Sequence, residues 1–210
     1  MRAKEINAII KEQTENFFKQ EGFKYVSKDM AYVKKTDAYR LEYGFTYCEY
    51  HPEYEYEIVL FVQLTEVEEI YIKIRNGVTI GMTYVFPLSY FLGKENYVNN
   101  NPEWNIEYKT DIPPFSQALI DTYTKYVKEF IPFITQPQNM LNFLLSEIAT
   151  EKDYANNINV LMRALILLKL LDDSRLLEMY AKFKEKLKAY DTEDQITYGT
   201  QMDNIVSGNW

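Results

Sequence analysis

The chain has 210 residues, 47% of them hydrophobic and 26% charged, and a formal net charge of −8. That length and balance predict one folded domain or a closely packed pair of subdomains, and the acid excess lacks the basic footprint that a nucleic acid requires. A single cysteine, Cys48, and a single histidine, His51, exclude an internal disulfide, zinc-finger ligation and redox-pair chemistry.

Residues 2–21 predict an amphipathic helix, with Ala3, Ile6, Ile10 and Phe17 on one face and Ile9 and Phe18 beside it. Gly22 is placed to end it, because a left-handed backbone costs glycine nothing. Two short strands follow, 23–26 and 30–35, around Ser27-Lys28-Asp29. Residues 38–49 alternate, with Tyr39, Leu41, Tyr43, Phe45 and Tyr47 on one face and Arg40, Glu42, Thr46 and Cys48 on the other. That two-residue period predicts a sheet strand with one buried face. The segment Tyr50-His51-Pro52-Glu53 predicts a hairpin turn into a strand over 54–64, whose second half is apolar on both faces.

Residues 67–75 are expected as a further strand, with Ile70, Ile72 and Ile74 facing one way. Asn76-Gly77 then serves as a two-residue hairpin into a strand over 78–86. A helical turn is expected at 88–92, a loop at 99–102, and an edge strand from Trp104, Ile106 and Tyr108. Everything after Pro113-Pro114 predicts helix. Residues 114–130 precede a break or kink at Pro132, and a helix over 137–149 starts on Pro137. Asp153 is expected to cap a helix over 154–171, which is apolar nearly all round and so predicted to be buried. Asp172 and Asp173 are expected to cap a last helix over 174–189, lined by Leu176, Leu177, Tyr180, Phe183 and Leu187. The polar tail, 191–210, is expected either to fray or to dock through Ile205, Val206 and Trp210.

The fold class is therefore α+β: an N-terminal helix packed on an antiparallel sheet of about five or six strands, then a C-terminal helical bundle. The segments would be 1–113, 114–190 and 191–210. The N-terminus has no signal-peptide pattern, and the longest apolar run, 160–171, is interrupted by Arg163 and Lys169. A cytoplasmic location with no membrane partner is expected.

The richest local feature is the acidic hairpin. Glu53, Glu55 and Glu57 share one strand face at about 7 Å spacing, and Glu49, Tyr50, Tyr54 and Tyr56 flank them. One reading is a docking surface for a basic protein, with tyrosines as rigid contact area. The other is a solvated strand face that resists edge aggregation. His51 with Glu49 or Glu53 lacks the fixed geometry of a metal site, and Cys48 with His51 lacks that of a nucleophile–base pair. The glycines form no phosphate-cradling motif. No catalytic residue, metal or cofactor is expected.

The opening KEINAIIKEQTENFFKQEGFKYVSKDMAYVKK, with its Gly22-Phe23-Lys24 helix exit, resembles small uncharacterised bacterial α+β domains of the domain-of-unknown-function type. YVKEFIPFITQPQNMLNFLLSE, residues 126–147, is similar to their helical end. The resemblance covers roughly the first 150 residues. It implies an antiparallel meander and, because some such domains lie near toxin loci, an immunity-type role; it carries over no site residues. The expected function is a non-enzymatic binding protein, of immunity or adaptor type, acting on a basic partner. The alternative is a small-molecule-binding protein or enzyme with a carboxylate and tyrosine pocket, including Glu42 or Glu57, between sheet and helices. A third reading is self-association through the apolar helix at 154–171.

Overall fold

The computed structural model describes residues 2–50, 52–77, 81–92, 104–150 and 157–210. His51, the start of the strand expected at 78–86, the loop at 99–102, and Asp153 with residues 154–156 lie outside the described residues. The protein is α+β, as its patterning predicts. It divides into two compact units interleaved in sequence, 1–62 with 84–132 and 63–83 with 133–210, rather than into the consecutive segments expected.

The first unit holds the sheet. Helix α1 (Ala3–Gln20) buries Ile6, Ile10, Thr14 and Phe18, a strict four-residue stripe in which Phe18 rather than Phe17 faces inward. Gly22, at φ +85°, ends it. The Gly22 N–H donates to the Lys19 carbonyl and the Phe23 N–H to that of Phe18, the paired bonds of a glycine-closed helix end. Strands β1 (Lys24–Val26), β2 (Ala31–Lys35), β3 (Tyr39–Tyr50) and β4 (Glu53–Leu64) follow in order across the sheet. Two short antiparallel strands share the outer edge of β4. β5 (Tyr84–Pro87) pairs with Val59–Val62, and β6 (Trp104–Ile106) pairs with Tyr54–Tyr56.

The inner face of the sheet is aromatic. Phe18 stacks on Tyr32 at 4.2 Å and meets Tyr123 edge-on at 5.4 Å, while Phe115 lies 5.7 Å from Phe45 and 5.3 Å from Tyr56. Such pairs add to the area they bury, and they account for much of the tyrosine content. The hydroxyls of Tyr32, Tyr43 and Tyr56 each find an acceptor. Thr14 Oγ1 donates its one proton to the Ile10 carbonyl, so it accepts from Tyr32 at 2.6 Å. Tyr43 donates to the Leu119 carbonyl at 2.8 Å and Tyr56 to Asn7 Oδ1 at 2.7 Å. A neutral bond of this kind is worth about 1 kcal/mol net, and an orphaned partner costs more. Burial raises the hydroxyl pKa of Tyr32, Tyr43 and Tyr56, so all three stay neutral donors.

Helix α3 (Leu88–Phe91) follows β5, and a 3-10 turn, Lys109–Asp111, leads into α4 (Ile112–Thr122). The helix does not break at Pro132. A π-helical turn, Tyr123–Val127, precedes α5 (Lys128–Ile134), which carries Pro132 inside it. Proline removes a backbone donor and crowds the carbonyl four residues earlier, and a wider turn just upstream relieves that conflict.

The second unit opens with the main correction. The strand expected at 67–75 is a helix, α2 (Thr65–Ile74), burying Val67, Glu68, Ile70, Tyr71 and Ile74. The spacing 67, 70, 71, 74 is helical, and Ile72 falls off the buried face. Asn76 and Gly77 are both left-handed, at φ 53° and 87°. They end this helix, Gly77 N–H donating to the Ile72 carbonyl, and do not form the expected hairpin.

Helix α6 (Pro137–Ile148) starts on its proline and buries Met140, Leu141, Leu144 and Ile148. Helix α7 (Ile158–Leu170), capped by Asn157, is buried continuously from Leu161 to Leu168. Asp172, at φ 51°, closes α7. Asp173 alone serves the next helix, α8 (Leu176–Lys186), accepting from the Arg175 N–H and guanidinium. Phe183 is the buried residue of α8, and Leu177, expected on its inner face, is exposed. The polar tail is a helix, α9 (Thr192–Ser207). It is capped by Asp191 and closed by Gly208, with Met202 and Ile205 fully buried; it packs on α7 and α8, while Trp210 stays partly exposed.

Two outcomes follow. A Cβ at Gly44 would lie 2.7 Å from the Met30 carbonyl oxygen and 2.8 Å from Ala31 Cα, both main chain. Gly44→Ala should therefore cost about 1–3 kcal/mol by denaturant unfolding; an unchanged midpoint would mean that β2 yields freely. The Arg175 side chain and N–H hold the Asp173 carboxyl down to about 2, below its usual 3.8. A depressed carboxyl stabilises the fold above its unfolded pKa, and that stability goes as pH falls through the folded value. Asp173→Asn should be less stable than the parent at neutral pH, and the gap should close between about pH 4 and pH 2. A pH-independent gap would contradict this.

Candidate functional site

The seven residues singled out in the acidic hairpin do not form one surface. Strand alternation turns Tyr54 and Tyr56 inward, where they are 2% and 0% exposed. This corrects their expected role as contact area on the acidic face. Tyr54 donates to Glu49 Oε1 at 3.2 Å, and Tyr56 is held by Asn7. Glu55 and Glu57 are half-buried on the opposite side of β4, and Glu53 is exposed. Glu49 and Tyr50 are exposed at the end of β3, Tyr50 by 63%.

The tip gains a residue that sequence spacing did not assign to it. Ile106 pairs with Tyr54, and two residues on, Tyr108 stands 61% exposed. A hydrogen bond to Glu107 and the charges of Glu107, Asp111 and Glu53 raise its hydroxyl pKa. The carboxylates around this hydroxyl disfavour its ionisation. Asp111 spends one oxygen accepting from the Glu107 and Tyr108 N–H groups, which fixes the rim. The tip thus presents Glu49, Tyr50, Glu53, Glu107 and Tyr108.

The carboxylate pocket expected around Glu42 is not what surrounds that residue. Glu42 is 8% exposed and lies 2.5 Å from the Arg40 guanidinium, which also reaches Asp29. A cleft of about 440 Å³ in the same unit lies against α1 and the β1–β2 turn instead. Tyrosines 25 and 47 line it, but its charged residues are lysines, Lys4, Lys11 and Lys28.

The most buried ionisable cluster lies in the second unit, and element-by-element reading passed over it. Glu68 and Arg163 are 0% and 3% exposed. They form a two-pronged pair, Nε to Oε1 at 2.7 Å and an Nη to Oε2 at 2.8 Å. Thr83 adds a hydroxyl bond to Oε1 at 2.9 Å, and the Arg163 guanidinium lies 4.0 Å from the Tyr71 ring centre. Tyr71 donates to Asn159 Oδ1. Arg75 meets the same oxygen at 3.0 Å. Both carboxylate oxygens are engaged, and the cluster fastens α2 to α7. The one arginine within the otherwise apolar run 161–168 was its sequence signal, because a buried cation needs an anion.

Among the described residues no group of three or more His, Cys, Asp and Glu converges as metal ligands, and no helix is long and apolar enough to cross a membrane. Cys48 is a free, exposed thiol. No protein-family model, curated protein or solved structure matches the chain.

Removing one member of the buried pair should cost far more than removing both. Arg163→Met alone should destabilise by about 3–5 kcal/mol by stranding Glu68, and adding Glu68→Met should restore much of that loss. Chemical denaturation of both single variants and the double variant measures this; a double loss equal to the sum of the two single losses would show that the pair carries no mutual dependence.

Proposed function

We propose that this chain is a non-enzymatic binding protein whose hairpin tip docks a basic protein partner, in the manner of an immunity or adaptor protein of a bacterial cytoplasm. The observation that supports it is the company Tyr108 keeps. An exposed, rigidly based tyrosine stands among Glu53, Glu107 and Asp111, with Tyr50 exposed and Glu49 nearby at the end of β3. Aromatic rings set in an acidic rim combine low-entropy contact area with charge that steers a cationic surface. The immunity-type form of the reading rests on the resemblance of residues 4–35 and 126–147 to small bacterial domains, some of which lie near toxin loci. The engagement of Glu68 by Arg163 and of Glu42 by Arg40 weighs against a carboxylate-based enzyme.

Parallel capture from host extract, with the parent protein and a Glu49→Lys/Glu53→Lys/Tyr50→Ala variant of equal thermal midpoint, tests the proposal. A basic protein retained by the parent at low salt should be retained about tenfold less by the variant, and added salt should release it. Equal retention by both, or capture of acidic proteins alone, would overturn it.

A further inference from the structure

The cleft beside α1 runs against the electrostatic character of the chain. The sequence carries 31 acidic and 23 basic side chains, yet the charged residues lining this cleft are Lys4, Lys11 and Lys28, with no carboxylate among its walls. Lys11 lies 3.6 Å from Glu15, a loose exposed contact worth little. Like charges gathered around one depression repel one another, and an anion placed among them relieves that repulsion.

The walls are built, not incidental. Tyr25 is backed by Tyr32 at 5.1 Å, and Tyr47 stacks on Tyr56 at 5.4 Å. Both rings are therefore seated on fully buried aromatics of the sheet's inner face. Lys11 sits 5.5 Å from the Tyr25 ring centre. Met30 adds an apolar wall from an unusual position. It is a non-glycine residue at φ 51°, a left-handed conformation that costs an ordinary side chain about 1 kcal/mol or more. Its sulfur receives the Asn7 side-chain amide at 3.0 Å, and the Asn7 oxygen is in turn held by Tyr56. One buried hydroxyl thus fixes the orientation of an asparagine that pins the methionine wall.

We infer that this cleft is a binding site for a small organic anion with a flat apolar body, such as an aromatic carboxylate or sulfonate. The rings of Tyr25 and Tyr47 and the Met30 side chain take the body, and the three lysines take the charge. About 440 Å³ falls within the range of small-ligand pockets. Walls that need no rearrangement on binding lower its entropic cost. This site shares no residue with the hairpin tip and stands or falls separately from the partner-docking proposal.

The probe is anilinonaphthalene sulfonate, with phenylnaphthylamine as its uncharged counterpart, titrated into the full chain. Fluorescence and isothermal calorimetry read affinity, and labelled methionine methyls read location. The sulfonate should bind one-to-one and shift the Met30 methyl, leaving that of the buried Met162 in place. Lys4→Gln/Lys11→Gln/Lys28→Gln, surface changes that leave the core intact, should weaken it at least about tenfold, and the neutral analogue should bind at least about tenfold more weakly. A second cleft, near Met179 with Lys182 and Lys186 on its lining, supplies the control, and Lys182→Gln/Lys186→Gln should leave the affinity unchanged. Equal affinity for the neutral analogue, an unaffected triple-lysine variant, a silent Met30 methyl, or a loss confined to the Lys182/Lys186 variant would each overturn the assignment.

Discussion

A polar atom taken out of water costs free energy unless it finds a partner inside the protein, and this demand shapes both units. Tyrosine suits a pleated surface because of its ring, but each buried ring brings a hydroxyl that needs an acceptor. On the inner face of the sheet the acceptors are Thr14 and Asn7 of α1 and the Leu119 carbonyl of α4. These bonds fix where the two helices lie on the strands, which a purely apolar face would leave to shape alone. In the helical unit Arg163 imposes the same demand more severely, and Glu68 and Tyr71 answer it.

Much of the fold was legible from period and punctuation. The alternation through β3 and β4, the glycine exit of α1 and the proline start of α6 each correspond to a local physical preference. What failed is equally local. In α2, Ile70, Ile72 and Ile74 satisfy a two-residue period, while Val67, Ile70, Tyr71 and Ile74 satisfy a helical one, and ten residues do not separate the two. Asn-Gly punctuates both a hairpin and a helix end, because both require left-handed backbone. The tail read as polar because α9 buries little; its helix signals were Asp191 at the start and Gly208 at the end.

The candidate site was legible only in part, and alternation explains which part. Spacing correctly separated Glu53, Glu55 and Glu57 from Tyr54 and Tyr56 as opposite faces, so the tyrosines could not share a surface with those acids once one face was buried. Tyr108 joins Glu53 through strand pairing between β4 and β6, about fifty residues apart in sequence, which no local pattern encodes. The lysine-lined cleft has the same origin. Lys4 and Lys11 come from α1 and Lys28 from the following turn, and only the packing of Tyr25 and Tyr47 makes them neighbours. Net charge describes the whole chain and says little about the sign at any one depression.

The interleaving of the two units bears on how the protein is made. Glu68 and Arg163 are separated by 95 positions, so α2 leaves the ribosome long before the helix that neutralises its carboxylate. The sheet unit, whose last residues come before position 133, has its full complement first. Vectorial synthesis therefore makes every residue of the aromatic layer available before the guanidinium that joins α7 to α2 within the helical unit.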